Sequence, residues 1–233
     1  QSSLLKSMLQ IGSLTKYGKV HGFKDITSYK EFKEHIPLQT YESFLPQIEM
    51  MRKGKQNISW PTMIKWFSKS SGTTNDKSKF VPVSYESIAE NHLKGGKDFL
   101  TFYCDYRPDT TLFTGLSLRL GGNTEANSTS HESYFGDVSA IIIENLPMWI
   151  ELRSTPNQRI ALMDEWEEKI EKIALKTMDK NVTSLVGVPS WMMILIKKVI
   201  EKKGVNNILE VWPNLELYVH GGVSFKPYKE EFK

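Results

Sequence analysis

Residues 182–219 read VTSLVGVPSWMMILIKKVIEKKGVNNILEVWPNLELYV. Val182 to Val188 is a short apolar run of strand length, Pro189 opens a helix that carries apolar residues through Ile200, and Gly204 closes it. Leu215 to Val219 is a second apolar run. Two apolar strands joined by a helix form a βαβ unit, because parallel neighbours need a crossover that returns the chain to the starting edge of the sheet. The reading is α/β with a largely parallel sheet.

Working outward, Thr155-Pro156 is a helix-start signature. Ile160, Met163, Trp166, Ile170 and Ile173 then recur every three or four residues over a charged face, which predicts one long amphipathic helix. Leu112 to Leu120 reads as strand, glycine and strand, with Arg119 either meeting a carboxylate or standing exposed. Ser84 is placed to cap a helix carrying Ile88, Ala89 and Leu93, and Gly95-Gly96 either ends it or lets it pack closely. Residues 1–60 form a mainly helical lead-in to an α/β portion over 61–233. In that lead-in, one helix spans 3–17 and is closed by Gly18. A second runs from the capping-box pair Ser28 and Glu31 to Pro37, and a third covers Thr40 to Met51 with an interruption at Pro46.

The 233 residues are 39% hydrophobic, enough for a packed core. The 30 basic and 27 acidic residues are interspersed and form no basic stripe, so no nucleic-acid partner is expected. No run reaches the length of a membrane span, and the one cysteine, Cys104, forms neither an intramolecular disulfide nor a metal site by itself. The expected setting is cytoplasmic, with no membrane partner. The first and last residues, QSSLLKSMLQ and KEEFK, read as the ends of a fragment.

The chemistry concentrates in residues 65–83, KWFSKSSGTTNDKSKFVPV. Trp66 and Phe67 lead into a loop bearing Ser70, Ser71, Gly72, Thr73 and Thr74, followed by Lys77 and Lys79 and a β-branched exit at Val81 and Val83. This predicts strand, loop, strand. Glycine lets a backbone approach a ligand closely, while hydroxyls, successive N–H groups and a lysine suit the anionic oxygens of a triphosphate. The spacing is neither GxxxxGK[ST] nor GxGxxG, and an ordinary Ser/Thr-rich surface turn fits the same composition. A second glycine-bearing loop, Gly221-Gly222-Val223-Ser224, follows His220 at the end of the last apolar strand, where ligands of open α/β sheets bind.

SSGTTNDKSKF resembles the phosphate-binding motif of the adenylate-forming enzymes, in the form found in the Gretchen Hagen family of acyl acid amido synthetases. PDTTLFTGLSLRLGGN at 108–123, LMDEWEEKIEK at 162–172, GVPSWM at 187–192 and WPNLELYVHGGVSFKPY at 212–228 extend the resemblance in family order. It implies the N-terminal domain of an adenylate-forming enzyme, truncated and without the mobile C-terminal domain. ATP with Mg²⁺, a small carboxylic acid and an amine or amino acid are the implied partners. The resemblance assigns Ser70, Ser71, Gly72, Thr73, Thr74 and Lys79 to the phosphates and Gly221, Gly222, Val223 and Ser224 to the nucleotide. It also sets Val188, Trp191 and Met192 at the wall of the acid pocket, with Trp191 and Met192 equally suited to the core, and Arg119, by the strand reading above, is the candidate for the acid's carboxylate. No metal ligand and no catalytic side chain is assigned.

The implied reaction is attack of the acid's carboxylate on the α-phosphorus of ATP, loss of pyrophosphate, and capture of the acyl adenylate by an amine. Two departures from the pattern stand out. Asn75-Asp76 replaces the glycine that commonly follows the threonines, and the YxASE segment with its glutamate is not found in these residues. A noncatalytic nucleotide-binding or interaction module and an adenylate-forming acyl-CoA ligase are the alternatives. A single nucleotide joining residues 70–74 to residues 221–224 requires that the two loops converge.

Overall fold

The computed structural model describes residues 1–70, 78–126 and 133–232. The chain divides into two compact units, residues 1–93 with 125–136, and residues 94–124 with 137–233.

The first unit begins with the expected helical segment, with one change. The single helix expected over 3–17 is two, α1 (Ser2–Gly12) and α2 (Lys16–Val20). The Thr15 hydroxyl donates to Gly12 O at 2.6 Å and accepts from Gly18 N at 2.9 Å, so it ends one helix and starts the next. Gly18 therefore lies inside α2, where a Cβ would sit 2.1 Å from the Gly12 carbonyl oxygen. Helix α3 (Tyr29–His35) carries the Ser28/Glu31 capping box read from the sequence. Helix α4 (Tyr41–Arg52) runs unbroken through Pro46. That proline removes one N–H donor, while the reciprocal Thr40/Ser43 cap and the burial of Ile48 and Met51 hold the helix on either side.

Strands β1 (Trp66–Lys69) and β2 (Phe80–Val83) pair antiparallel, with Trp66 opposite Val83 and Lys69 opposite Phe80. The two strands expected on either side of the loop are present. Among the described residues the sheet order is β2-β1-β5-β4, with β4 (Thr124–Ala126) and β5 (Tyr134–Gly136). Phe67 drives the packing, fully enclosed among Ile48, Met51, Ile58 and Ile64. Beyond β2, Ser84 Oγ accepts from Ser87 N at 3.0 Å as a cap should, and a π-helical segment follows over Ser87–Leu93.

The second unit opens with α5 (Lys94–Tyr106), which carries Gly95-Gly96 within it; the pair neither ends a helix nor packs closely, since a Cβ at either glycine would meet nothing within 4 Å. Neither glycine adopts the left-handed conformation that a helix C-cap needs. The first half of Leu112 to Leu120 is a 3-10 turn, Leu112–Thr114, and only β3 (Leu116–Leu120) is strand. Then come α6 (Val138–Glu144), α7 (Met148–Glu151), β6 (Ser154–Thr155), α8 (Gln158–Ala161) and α9 (Trp166–Thr177). The long helix expected after Pro156 is thus split. Asn157 caps α8 by accepting from Ile160 N at 3.2 Å, and the chain turns at Leu162 before α9 begins. The remainder is β7 (Val182–Gly187), α10 (Pro189–Lys203), α11 (Ile208–Val211) and β8 (Leu217–His220).

Among the described residues, the second sheet has the order β6-β3-β7-β8, and every pairing in it is parallel. The βαβ reading of 182–219 holds, and Gly204 closes α10 at φ +65°. Leu118, Leu120 and Leu185 on one sheet face pack against Ile170 and Ile173 of α9 and Met192, Leu195 and Val199 of α10. Each such side chain removed from water contributes about 1.5–3 kcal/mol. Trp212 lies fully buried in this core with its indole N–H donated to Thr177 O at 3.1 Å. Among the described residues no helix is long and apolar enough to cross a membrane.

Candidate functional site

The all-parallel sheet places the C-terminal ends of β3, β7 and β8 side by side, since Leu120 is in register with Gly187 and Gly187 with His220. Three turns leave this edge: Gly121-Gly122, Gly187-Val188 and Gly221-Gly222. Strand ends of this kind expose backbone groups to ligands.

The turn after β8 is exposed from Gly221 to Ser224. Gly222 has φ +81°, a conformation that glycine adopts without a Cβ penalty. A Cβ there would stand 3.3 Å from Val188 Cγ2, whereas one at Gly221 would meet nothing within 4 Å. Val188 and Gly222 are therefore neighbours across the edge. Tyr218 ties the two strands by donating its hydroxyl to Gly187 O at 3.1 Å. His220 stacks on Phe225, with centroids 4.3 Å apart and planes inclined by 21°.

The residues assigned to the acid are placed unevenly. Trp191 is half-buried and meets the Trp166 ring at 5.5 Å. Met192 is wholly enclosed in the core, and its Cε would lie 3.3 Å from a Cβ at Gly187, so it supports the edge from beneath. Arg119 sits between core-facing Leu118 and Leu120, and strand alternation sends its side chain to the opposite face of the sheet. Its Nε is enclosed and has no hydrogen-bond partner among the described residues, and burial pulls the guanidinium below its ordinary value. An enclosed guanidinium nitrogen left without an acceptor is costly. A carboxylate is the group that would relieve it.

In the first unit, Ser70 and Lys79 close the base of the expected phosphate loop. Ser70 N donates to Lys79 O at 2.9 Å and Lys79 N to Ser70 Oγ at 3.4 Å. The Lys79 ammonium lies 3.3 Å from Glu42 and 5.0 Å from the Tyr41 ring centroid. Tyr41 in turn accepts from Phe80 N at 2.9 Å. Ser71, Gly72, Thr73 and Thr74 lie outside the described residues, as does the convergence expected of them with residues 221–224.

Sequence reasoning missed Lys169. It lies on α9, is 1% exposed, and donates from Nζ to Gly121 O at 2.7 Å and Gly122 O at 2.9 Å. Burial lowers its ammonium to about 8, against the opposing pull of Asp164 and Asp137. The missed signal was periodicity: Lys169 stands three residues after Trp166 and four before Ile173, on the inward stripe of the helix. Glu216 was missed as well. It accepts from Tyr103 OH at 3.1 Å, Thr111 N at 3.1 Å and Thr111 Oγ1 at 2.9 Å, and from Thr110 Oγ1, so it fastens the end of α5 to the start of β8.

A parallel α/β sheet with glycine turns along its C-terminal edge is the architecture of a ligand-binding α/β domain. The model of the GH3 family N-terminal domain matches residues 1–233, and the chain belongs to that family. Over 96 residues it is 30% identical to the indole-3-acetic acid-amido synthetase GH3.3 of Arabidopsis thaliana, a stretch that is 40% of this chain and 16% of that protein. Over 87 residues it is 33% identical to the jasmonoyl-L-amino acid synthetase JAR6 of Nicotiana attenuata, 37% of this chain and 15% of that one. The fold resembles the GH3.15 acyl acid amido synthetase in complex with 2,4-DB, with a TM-score of 0.70 and 19% identity over 86% of this chain and 35% of that one. The chain spans about a third of the length of the solved structure and the matched stretches about a sixth of the curated relatives.

Proposed function

We propose that the protein activates a small carboxylic acid with ATP and passes the acyl group to an amine or amino acid. The observation that carries this is the match of all 233 residues to the GH3 family N-terminal domain, together with similarity to curated proteins named indole-3-acetic acid-amido synthetase and jasmonoyl-L-amino acid synthetase.

The reaction begins when a carboxylate oxygen attacks the α-phosphorus and pyrophosphate leaves. The acyl adenylate is then attacked by an amine nitrogen, which forms the amide, releases AMP and gives up a proton. This chain's part is to bind and orient. Ser70, Ser71, Gly72, Thr73 and Thr74 offer hydroxyl and N–H donors to phosphate oxygens, where charge develops in the first step. Lys79 exchanges its exposed partner Glu42 for phosphate. Gly221, Gly222, Val223 and Ser224 supply an exposed backbone surface with room for a flat base, in keeping with the open space beside Gly221. Arg119 takes the acid's carboxylate, and Val188 and Trp191 contact its apolar part, with Met192 supporting them from the core.

Magnesium would arrive on the triphosphate, since that ion keeps most of its shell from water and substrate phosphates. Among the described residues no group of three or more His, Cys, Asp or Glu side chains is gathered to hold a metal. A cytoplasmic setting belongs to the same reading.

Pyrophosphate exchange into ATP by the full-length protein, measured across a panel of carboxylic acids, is the test. Ser71→Ala or Thr73→Ala should slow the exchange about a hundredfold, the effect of losing one preorganised donor. Unchanged exchange in both variants makes the loop an ordinary turn. Products formed with amino acids, against those formed with coenzyme A, separate amide synthesis from thioester synthesis.

A further inference from the structure

Gly121-Gly122 is held from every side. Lys169 Nζ takes both carbonyls, Ser139 Oγ accepts from Gly122 N at 3.3 Å, and Asn123 Nδ2 donates to Asp164 Oδ1 at 2.7 Å. The space beside the turn is also closed. A Cβ at Gly121 would stand 2.7 Å from Ile143 Cδ1, and one at Gly122 would stand 2.0 Å from Asp137 Oδ2. Three separate elements meet here: α9 through Lys169, α6 and its cap through Ser139 and Asp137, and the segment before α9 through Asp164.

We propose that Lys169 is a positioning residue for the C-terminal edge of the parallel sheet, fixing the Gly121-Gly122 turn through its two carbonyls in either of the lysine's charge states. An ammonium has three N–H groups and a neutral amine has two. Lys169 has two acceptors, Gly121 O and Gly122 O, and no carboxylate in ion-pair contact among the described residues. The neutral amine satisfies both acceptors, while the ammonium keeps one donor to spare in an enclosed place. Enclosure accordingly disfavours the charged form more than Asp164 and Asp137, the charged groups acting on it, favour it. Either form makes both bonds, so the turn keeps its shape through the pH range in which the lysine titrates. The adjoining end of β7 meets a fixed neighbour, and β8 pairs with β7 in turn.

The test is amide hydrogen exchange of Gly122, whose N–H lies inside the clamp, with Leu185 in β7 as the reference for the global fold. Protection of Gly122, corrected for intrinsic exchange, should stay constant from pH 7 to 9.5 while Lys169 loses its proton near pH 8. In Lys169→Met it should fall at least about tenfold, the worth of one hydrogen bond to a charged group, while Leu185 keeps its protection. If Lys169→Met does not fold, Lys169→Gln retains an NH₂ with two donors on a shorter stem and should give intermediate protection. A wild-type Gly122 that loses protection as the lysine titrates overturns the proposal, as does a variant Gly122 that is as well protected as the wild type. The consequence for ligands rests on the nucleotide reading, and magnesium-ATP titrated into the same samples separates the two. Absence of ATP-induced shifts in the wild type overturns the nucleotide reading alone, because the exchange result decides the clamp without any ligand.

Discussion

Gly121-Gly122 after β3 and Gly221-Gly222 after β8 leave the same edge of one parallel sheet, yet one pair is packed solid and the other stands open. Around the first, a lysine, a serine and an aspartate are drawn in from distant parts of the chain. Around the second, one position has a single contact, to Val188, and the other has none. Glycine serves two purposes here. At 121 and 122 it makes room for neighbours, at 222 it gives backbone freedom, and at 221 it leaves the space open. The first turn does scaffold work, and the open second turn is in keeping with the contact role proposed for it.

The sharpest way to break this contrast is Gly122→Ala. Its methyl group would displace the half-buried Asp137 carboxylate, and the variant should lose about 2 kcal/mol of stability by urea denaturation, within the range for overpacking. A midpoint equal to the wild type's would show that the turn opens freely.

The next effect is one of pH. Lys169 binds its proton up to about pH 8 in the folded chain and up to its ordinary 10.5 when unfolded. Between those values the unfolded state holds more protons, so stability rises with pH across that window on account of this group. Wild type should therefore gain stability relative to Lys169→Met from about pH 8 upward, with a constant difference below it, in denaturation curves collected from pH 6 to 10.5. A gap that narrows as pH rises contradicts the donor count.

Smaller effects belong to the open turn. Gly222→Ala should cost about 1 kcal/mol, because φ is +81° and a side chain strains there. Gly221→Ala should change stability by less than about 0.5 kcal/mol, as surface substitutions commonly do. Its effect should appear in magnesium-ATP affinity, and thermal melts with calorimetric titration measure both. Should Gly221→Ala destabilise as much as Gly122→Ala, the two turns do the same work.

What was legible in the sequence was what is local along the chain. Alternation of apolar strand, helix and strand over 182–219, the Ser28/Glu31 capping box, the Gly204 C-cap and the strands on either side of residues 70–79 each follow from residues within one or two turns of each other. The sequence by itself thus determined the α/β class, the parallel sheet and the family. Tertiary structure decided the rest. It split the helix expected after Pro156, extended a helix through Gly95-Gly96, and carried Lys169 to carbonyls 48 and 47 residues away. A lysine on an amphipathic helix is ordinarily solvated, and only the packing of α9 against the end of β3 turns its inward position into a clamp. The two glycine pairs are alike as letters and differ in their neighbours, because the space a glycine leaves is filled or left open by elements remote in sequence.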